Sequence, residues 1–240
     1  MRWIAATFLW ALMAAAPVGA ADGPITPGKI RIGVDSLPAS FGNPFRTAQI
    51  PTIYTTSAMF DGLTHIELDG TLKPWLATSW ESADAVTWRF VLRKDVMFSN
   101  GSPFTAEAVK VAVDYLASED ALREGLTREV PRFKSARVID AYTIEITLAE
   151  PDALFPRSAA ALPVAEPNEW ARLGRDAFSK APVGTGPYKL IAWEANRGIF
   201  TANEKSWRRP KVRDLEIIAI PEASIRSQAL IAGRIDSALS

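Results

Sequence analysis

The chain has 240 residues, of which 27 are basic and 27 acidic, with one histidine and no cysteine. The missing thiols exclude disulfides, thiolate metal sites and a cysteine nucleophile, and a formal charge of zero leaves no electrostatic footprint for nucleic acid or an anionic membrane. An apolar content of 48%, with 8 Trp and 11 Phe, is enough to build the core of one or two domains.

Residues 1–20 read as a secretory signal peptide. Arg2 precedes an apolar run from Ile4 to Ala16, and Pro17 with the small residues Gly19, Ala20 and Ala21 forms the cleavage region. No other stretch approaches the roughly 18 apolar residues of a membrane helix. Lys29 to Val34 alternates polar and apolar positions and predicts a strand with Ile30, Ile32 and Val34 on one face. The loop from Asp35 to Pro44 is rich in turn formers yet keeps Leu37 and Phe41. Two readings stay open for it: a loop that meets a ligand, or an ordinary connection with two buried anchors.

Pro51 to Phe60 suits a helix, and Leu63–Ile66 and Leu72–Leu76 flank the Asp69–Gly70 pair of a hairpin. His65 sits in that hairpin without a visible partner and reads as a surface histidine. Thr87 to Leu92 predicts a half-buried strand with Trp88, Phe90 and Leu92 on one face. After the Asn100–Gly101 turn, Thr105 is expected to cap a helix in which Val109, Ala112, Val113 and Leu116 repeat at helical spacing. The charged stretch from Ala117 to Lys134 reads as mostly solvated surface. Ala136–Asp140 and Thr143–Leu148 form a second hairpin, and two or three short helices, broken at Pro163 and Pro167, fill Asp152 to Lys180.

Gly184 and Gly186, set between Pro182 and Pro187, predict a stiff, sharply turned loop whose glycines take backbone conformations closed to other residues. It is not a phosphate loop, because Pro187 removes a donor and a strand follows where a helix should open. That strand, Tyr188 to Glu194, pairs with Arg197 to Ala202. Leu215 to Ile220 reads as apolar on both faces, which suits a central strand covered on both sides, Ser224 is expected to cap a helix to Ala232, and Ile235 starts another strand after Gly233.

Seven blocks carry a resemblance. MFDGL at Met59–Leu63, LKPWLATSW at Leu72–Trp80, TWRFVLRKDVMF at Thr87–Phe98, NGSPFTA at Asn100–Ala106, VGTGPY at Val183–Tyr188, NEKSWRRP at Asn203–Pro210 and GRID at Gly233–Asp236 follow one another as in a known family. In that order they resemble the family 5 extracytoplasmic solute-binding proteins, the oligopeptide, dipeptide and nickel-binding components of ABC importers. The blocks cover most of the chain but only the family's first half. The resemblance implies an α/β fold: a type II periplasmic-binding-protein-like lobe with an inserted hairpin-rich α+β domain, the second lobe missing. Residues 21–50 and 182–240 would form lobe I around a mixed sheet, and residues 51–181 the insertion.

The function implied is capture of a small solute, in the first instance a short peptide, for delivery to the transmembrane permease subunits. In the family the loop after the first strand borders the ligand cleft, which makes Ser36, Leu37, Ser40, Phe41 and Asn43 candidates for ligand contact. Arg123 and Arg128, just past the Thr105 helix, are candidates for holding a carboxylate. No catalytic residue, cofactor or metal ligand is expected, nor is nucleic acid or a place within the membrane, and the complete family is expected to be monomeric. A mature start without cysteine cannot carry a lipid anchor, so a freely diffusing protein of a Gram-negative periplasm is implied. The alternatives are nickel-chelate binding within the family, a secreted hydrolase using two carboxylates, and a solute-sensing module. Because the family follows GRID with a second lobe, ending at Ser240 leads one to expect weak binding and an uncovered sheet edge or apolar face.

Overall fold

The computed structural model describes residues 26–39, 41–46 and 50–239, so the expected signal peptide and Ser40 lie outside the described residues. β1 (Thr26–Val34) takes the alternating KIRIGV run, and α1 (Ile50–Met59) starts beside Pro51, where a missing amide donor costs the first turn nothing. β2 (Thr64–Ile66) and β3 (Leu72–Pro74) pair across a turn in which Gly70 has φ 83°. β4 (Ala77–Ser82) and β5 (Thr87–Leu92) lead to α2 (Ala106–Ala117), with Val109, Ala112, Val113 and Leu116 buried along one face. Thr105 stands at the N-cap of α2, although its side chain makes no capping bond. β6 (Phe133–Asp140) and β7 (Thr143–Leu148) follow, then the short α3 (Phe155–Ser158) and α4 (Pro167–Phe178). The chain continues through β8 (Tyr188–Trp193), β9 (Arg197–Ala202), β10 (Val212–Ala219), α5 (Ala223–Ile231) and β11 (Ser237–Ala238).

Two main sheets result. The first has the order β11-β1-β10-β9-β8, with β1 parallel to β10 and β11 and the remaining pairs antiparallel. The second, β4-β5-β7-β6, is antiparallel throughout. Its inner face buries Phe90, Ile144, Ile146 and Leu148, with α2 packed along β6 and β7 and the Phe155 ring edge-on to Phe90 at 5.6 Å. Its outer face is made wettable by a charge row that follows the register, Glu81 to Arg89 (3.7 Å), Arg89 to Glu145 (3.0 Å), and Glu145 to Arg137. The hydrogen bond from Arg89 holds the Glu145 carboxyl below the usual carboxylate range. Among the described residues no helix is long and apolar enough to cross a membrane.

Several local expectations are corrected. β10 is central, but its second face is not apolar: Glu216 is buried there between Lys29 (2.5 Å) and Arg197 (3.6 Å). Ser224 does not cap α5. Glu222 holds that position, because Arg226 reaches back to the carbonyls of Ile220 (2.6 Å) and Pro221 (2.8 Å) and so fixes a helix already begun at Ala223. Pro167 opens α4 rather than breaking a helix, with Glu166 accepting the Glu169 amide as its cap at 2.6 Å. The stretch from Ala117 to Lys134 is not merely solvated surface: two 3-10 turns, Glu119–Arg123 and Gly125–Arg128, bury Ala121, Glu124, Leu126 and, just beyond them, Val130. On the first sheet, Ile191 of the edge strand β8 and Ile225, Leu230 and Ile231 of α5 are exposed.

Gly184 and Gly186 do not have positive φ; what they supply is room. A Cβ on Gly184 would lie 2.1 Å from the Met59 carbonyl oxygen, and one on Gly186 would lie 2.5 Å from the Met59 carbonyl carbon. The close approach lets the Gly186 amide bond Met59 O at 2.9 Å. It also brings Thr185 onto Asp61, whose side chain is fully buried. Asp61 receives the Trp75 indole N–H (2.8 Å), the Trp207 indole N–H (3.1 Å), the Thr185 hydroxyl (2.8 Å) and the Arg208 guanidinium (2.7 Å). One carboxylate thereby ties α1's end, the β3–β4 region, the glycine loop and the segment after β9 into a single joint.

Candidate ligand-binding site

The carboxyl ends of the parallel strands β1 and β10 open together, which is where open α/β sheets place ligands. From β1 the chain enters the loop of Asp35 to Pro44. That loop is pinned at Gly42, whose amide donates to Ser179 O at 2.8 Å and whose missing side chain leaves space for Pro182, 2.6 Å from where a Cβ would stand. Asn43 is buried and accepts the Phe45 amide at 3.0 Å. Leu37 is half-buried and packs against the core, whereas Phe41 is 41% exposed, with φ 53° and its ring 5.9 Å from that of Trp193. Of the two anchors considered for this loop, only Leu37 is one.

The two 3-10 turns form a facing wall, joined to the loop's end by the Gly125 amide on Arg46 O at 2.7 Å. The third side comes from the last turn of α4. Gly174 interrupts that helix with φ 69° and ψ 170°, and Arg175, Asp176, Ser179 and Lys180 follow it. Together these segments enclose a cavity of about 800 Å³. Ser36, Leu37, Phe41, Asn43, Arg123 and Arg128 all line it; Ser40 lies outside the described residues. Arg46, Glu124, Arg175 and Lys180 line it as well, and sequence reasoning passed over them. A glycine inside a helical run was the available signal for Arg175, since it turns the residues after it off the helix's previous face.

Among the described residues that line the cavity, Glu124 is the fully buried acid, and the Tyr115 hydroxyl donates to it at 2.8 Å. Burial, and then that bond to Glu124, push the Tyr115 phenol well up, so it remains a proton donor at any physiological pH. Asp176 is held below the usual carboxylate range by the Arg175 Nε–H at 2.8 Å. A second cavity of about 590 Å³, lined by apolar groups such as Ile53, Phe60, Trp75 and Leu126 and by Arg157 and Arg208, adjoins the first. Three neighbouring pairs, Asn43/Pro44, Thr52/Ile53 and Gly125/Leu126, are each split between the two cavities and lie along their common wall. His65 borders the second cavity and is stacked on Trp75 at 4.3 Å. Among the described residues no group of three or more His, Cys, Asp or Glu could hold a metal ion.

Known proteins resemble this chain in sequence and in fold. The nickel-binding periplasmic protein of Escherichia coli is 33% identical over 201 residues, which are 78% of this chain and 38% of that protein. The glutathione-binding protein GsiB of Pectobacterium atrosepticum is 30% identical over 210 residues, 85% of this chain and 38% of its own length. Among solved structures, OppA of Burkholderia pseudomallei superposes with a TM-score of 0.78 at 26% identity, covering 88% of this chain and 46% of that one. NikA of Brucella suis, solved with Fe(III)-EDTA, gives 0.73 at 28% identity, covering 87% and 42%. The chain thus spans less than half the length of each of these relatives. Residues 71–240 match the middle region of one sequence family, and on that match the chain belongs to the bacterial extracellular solute-binding proteins, family 5.

Proposed function

We propose that this chain captures a small solute bearing an acidic group, a short peptide in the first instance, as the periplasmic binding component of an ABC importer, and passes it to the permease. The observation that carries the reading is the cavity at the end of β1, where Arg123 and Arg128 are exposed and make no ion pair among the described residues. Guanidinium groups with unspent N–H donors suit a carboxylate. The adjoining apolar cavity would take the rest of an extended solute. Binding without chemistry is supported by the cavity's two acids, each already engaged: Asp176 by Arg175, and Glu124 by Tyr115. Within this proposal residues 21–50 and 182–240 form one lobe, residues 51–181 an insertion, and a second lobe closes over the cavity by a hinge. The two separate sheets support that division.

A thermal-shift panel of short peptides, glutathione, an opine and nickel–histidine tests the reading on the full chain. At about 100 times its Kd a true ligand adds roughly 2.7 kcal/mol to stability, a clear rise in melting temperature. Arg123→Ala and Arg128→Ala should each weaken the responding solute about tenfold, or about 1.4 kcal/mol. No response from the whole panel, or an unchanged response in both variants, would end the proposal. Export is tested separately: intact mass of periplasmic protein should place the amino terminus at Ala21 or Asp22, and recovery of Met1 in the cytoplasm would refute it.

A further inference from the structure

The cavity holds more positive charge than Arg123 and Arg128 account for. Arg46, Arg123, Arg128, Arg175 and Lys180 stand against Glu124 and Asp176, five cations to two anions, in a chain whose formal charge is zero. Glu124 is the unusual member. Its side chain is 0% exposed, one oxygen accepts from Tyr115, and Oε2 has no hydrogen-bond partner. Arg46 Nη1 lies 3.9 Å from Oε2 and Arg175 Nη1 lies 3.9 Å from Oε1, close enough for attraction and too far for hydrogen bonds. A buried carboxylate is costly in that state, and it costs least if it serves to hold both cations. Their Nη1 donors are not spent on it.

We propose that Arg46 and Arg175 form a second anion-holding pair in the cavity and that Glu124 is the residue positioning them, so that the ligand carries a second acidic group beside the one met by Arg123 and Arg128. This rests on the reading of the cavity as the ligand site. Glu124 is suited to the role because Tyr115 fixes its carboxylate from the protein side, while Arg46 arrives from the loop after β1 and Arg175 from beyond the kink at Gly174. The pair sits on two different segments, and a single buried charge brings them together.

The sign of one substitution separates positioning from mere proximity. In an anion site, replacing a carboxylate by a neutral amide removes repulsion, so a bystander at this position predicts tighter anion binding for Glu124→Gln. A positioning residue predicts weaker binding, because Arg46 loses the charge that draws it to Arg175, which keeps only its bond to Asp176 at 2.8 Å, while the amide still offers an oxygen to Tyr115. Isothermal titration of the full chain with citrate, and with glycylglycine as a single-carboxylate control, reads the difference. Glu124→Gln should bind citrate about tenfold more weakly and glycylglycine within about twofold of the wild type. Citrate binding that is equal or tighter overturns the positioning role and leaves the cavity reading intact. If the wild type does not bind citrate, the second anion-holding pair is refuted; only if it also binds no solute of the panel does the cavity reading fall with it. Should Glu124→Gln fail to fold, Arg46→Gln decides, since Arg46 is 46% exposed at its side chain: a tenfold loss for citrate alone supports the pair, and no loss refutes it.

Discussion

Asp61→Ala should lower the stability of the chain by about 3–5 kcal/mol, the cost of removing one partner from a buried, hydrogen-bonded charge pair. The number follows from what would be stranded. Two indole N–H groups, one buried hydroxyl and one guanidinium converge on that carboxylate at 2.7 to 3.1 Å. Arg208 keeps 26% exposure and can turn to water, but Thr185 is fully buried and cannot. Urea denaturation followed by tryptophan fluorescence measures the loss, and Trp75 and Trp207 should report it directly. Asp61→Asn should cost less, since its amide oxygen still accepts from part of the set. A loss below about 1 kcal/mol for the alanine variant would mean that water reaches the joint and replaces the missing acceptor, within the normal range for an exposed polar site.

Gly184→Ala should be the next most damaging change, at about 3 kcal/mol, the upper part of the range for overpacking a closed site. The added methyl would meet Met59 O at 2.1 Å and the Phe60 ring at 2.6 Å. A backbone oxygen inside the joint has little room to retreat, and moving it would also lengthen the Gly186 amide bond to Met59 O, now 2.9 Å. The strain would reach Thr185 and through it Asp61. Gly174→Ala serves as the comparison: nothing lies within 4 Å of its added methyl, so only the backbone conformation, φ 69° with ψ 170° and nearly exclusive to glycine, penalises it, by about 2 kcal/mol. Melting temperatures of the two variants test the ranking, and a smaller fall for Gly184→Ala would show that the glycine loop is freer than its contacts imply.

Four of the seven blocks that carry the family resemblance meet at Asp61. Met59–Leu63 contains Asp61, Leu72–Trp80 contains Trp75, Val183–Tyr188 contains Thr185, and Asn203–Pro210 contains Trp207 and Arg208. Each block looks like local turn chemistry when read alone. In the fold they are the four sides of one joint, which sits beside the apolar cavity through Asp61, Trp75 and Arg208.

Periodicity located the elements with one buried face, because burying that face imposes a spacing that survives in the sequence: Phe90 and Leu92 on β5, Ile144, Ile146 and Leu148 on β7, and Val109 to Leu116 on α2; β4, with only Ala77 fully buried, was not legible. The loop after β1 and the pair Arg123 and Arg128 were also legible as candidates, through the order of the blocks around them. Local pattern could not say that Gly184 and Gly186 make room rather than turn, since a close approach depends on a partner more than a hundred residues away in the chain. Nor could it distinguish Glu124 from the exposed acids around it, because burial of a charge is decided by which segments close over it. Arg46, Glu124 and Arg175 come from three stretches that only the tertiary structure brings together. A cavity's charge is a property of that assembly, and no window of sequence contains it.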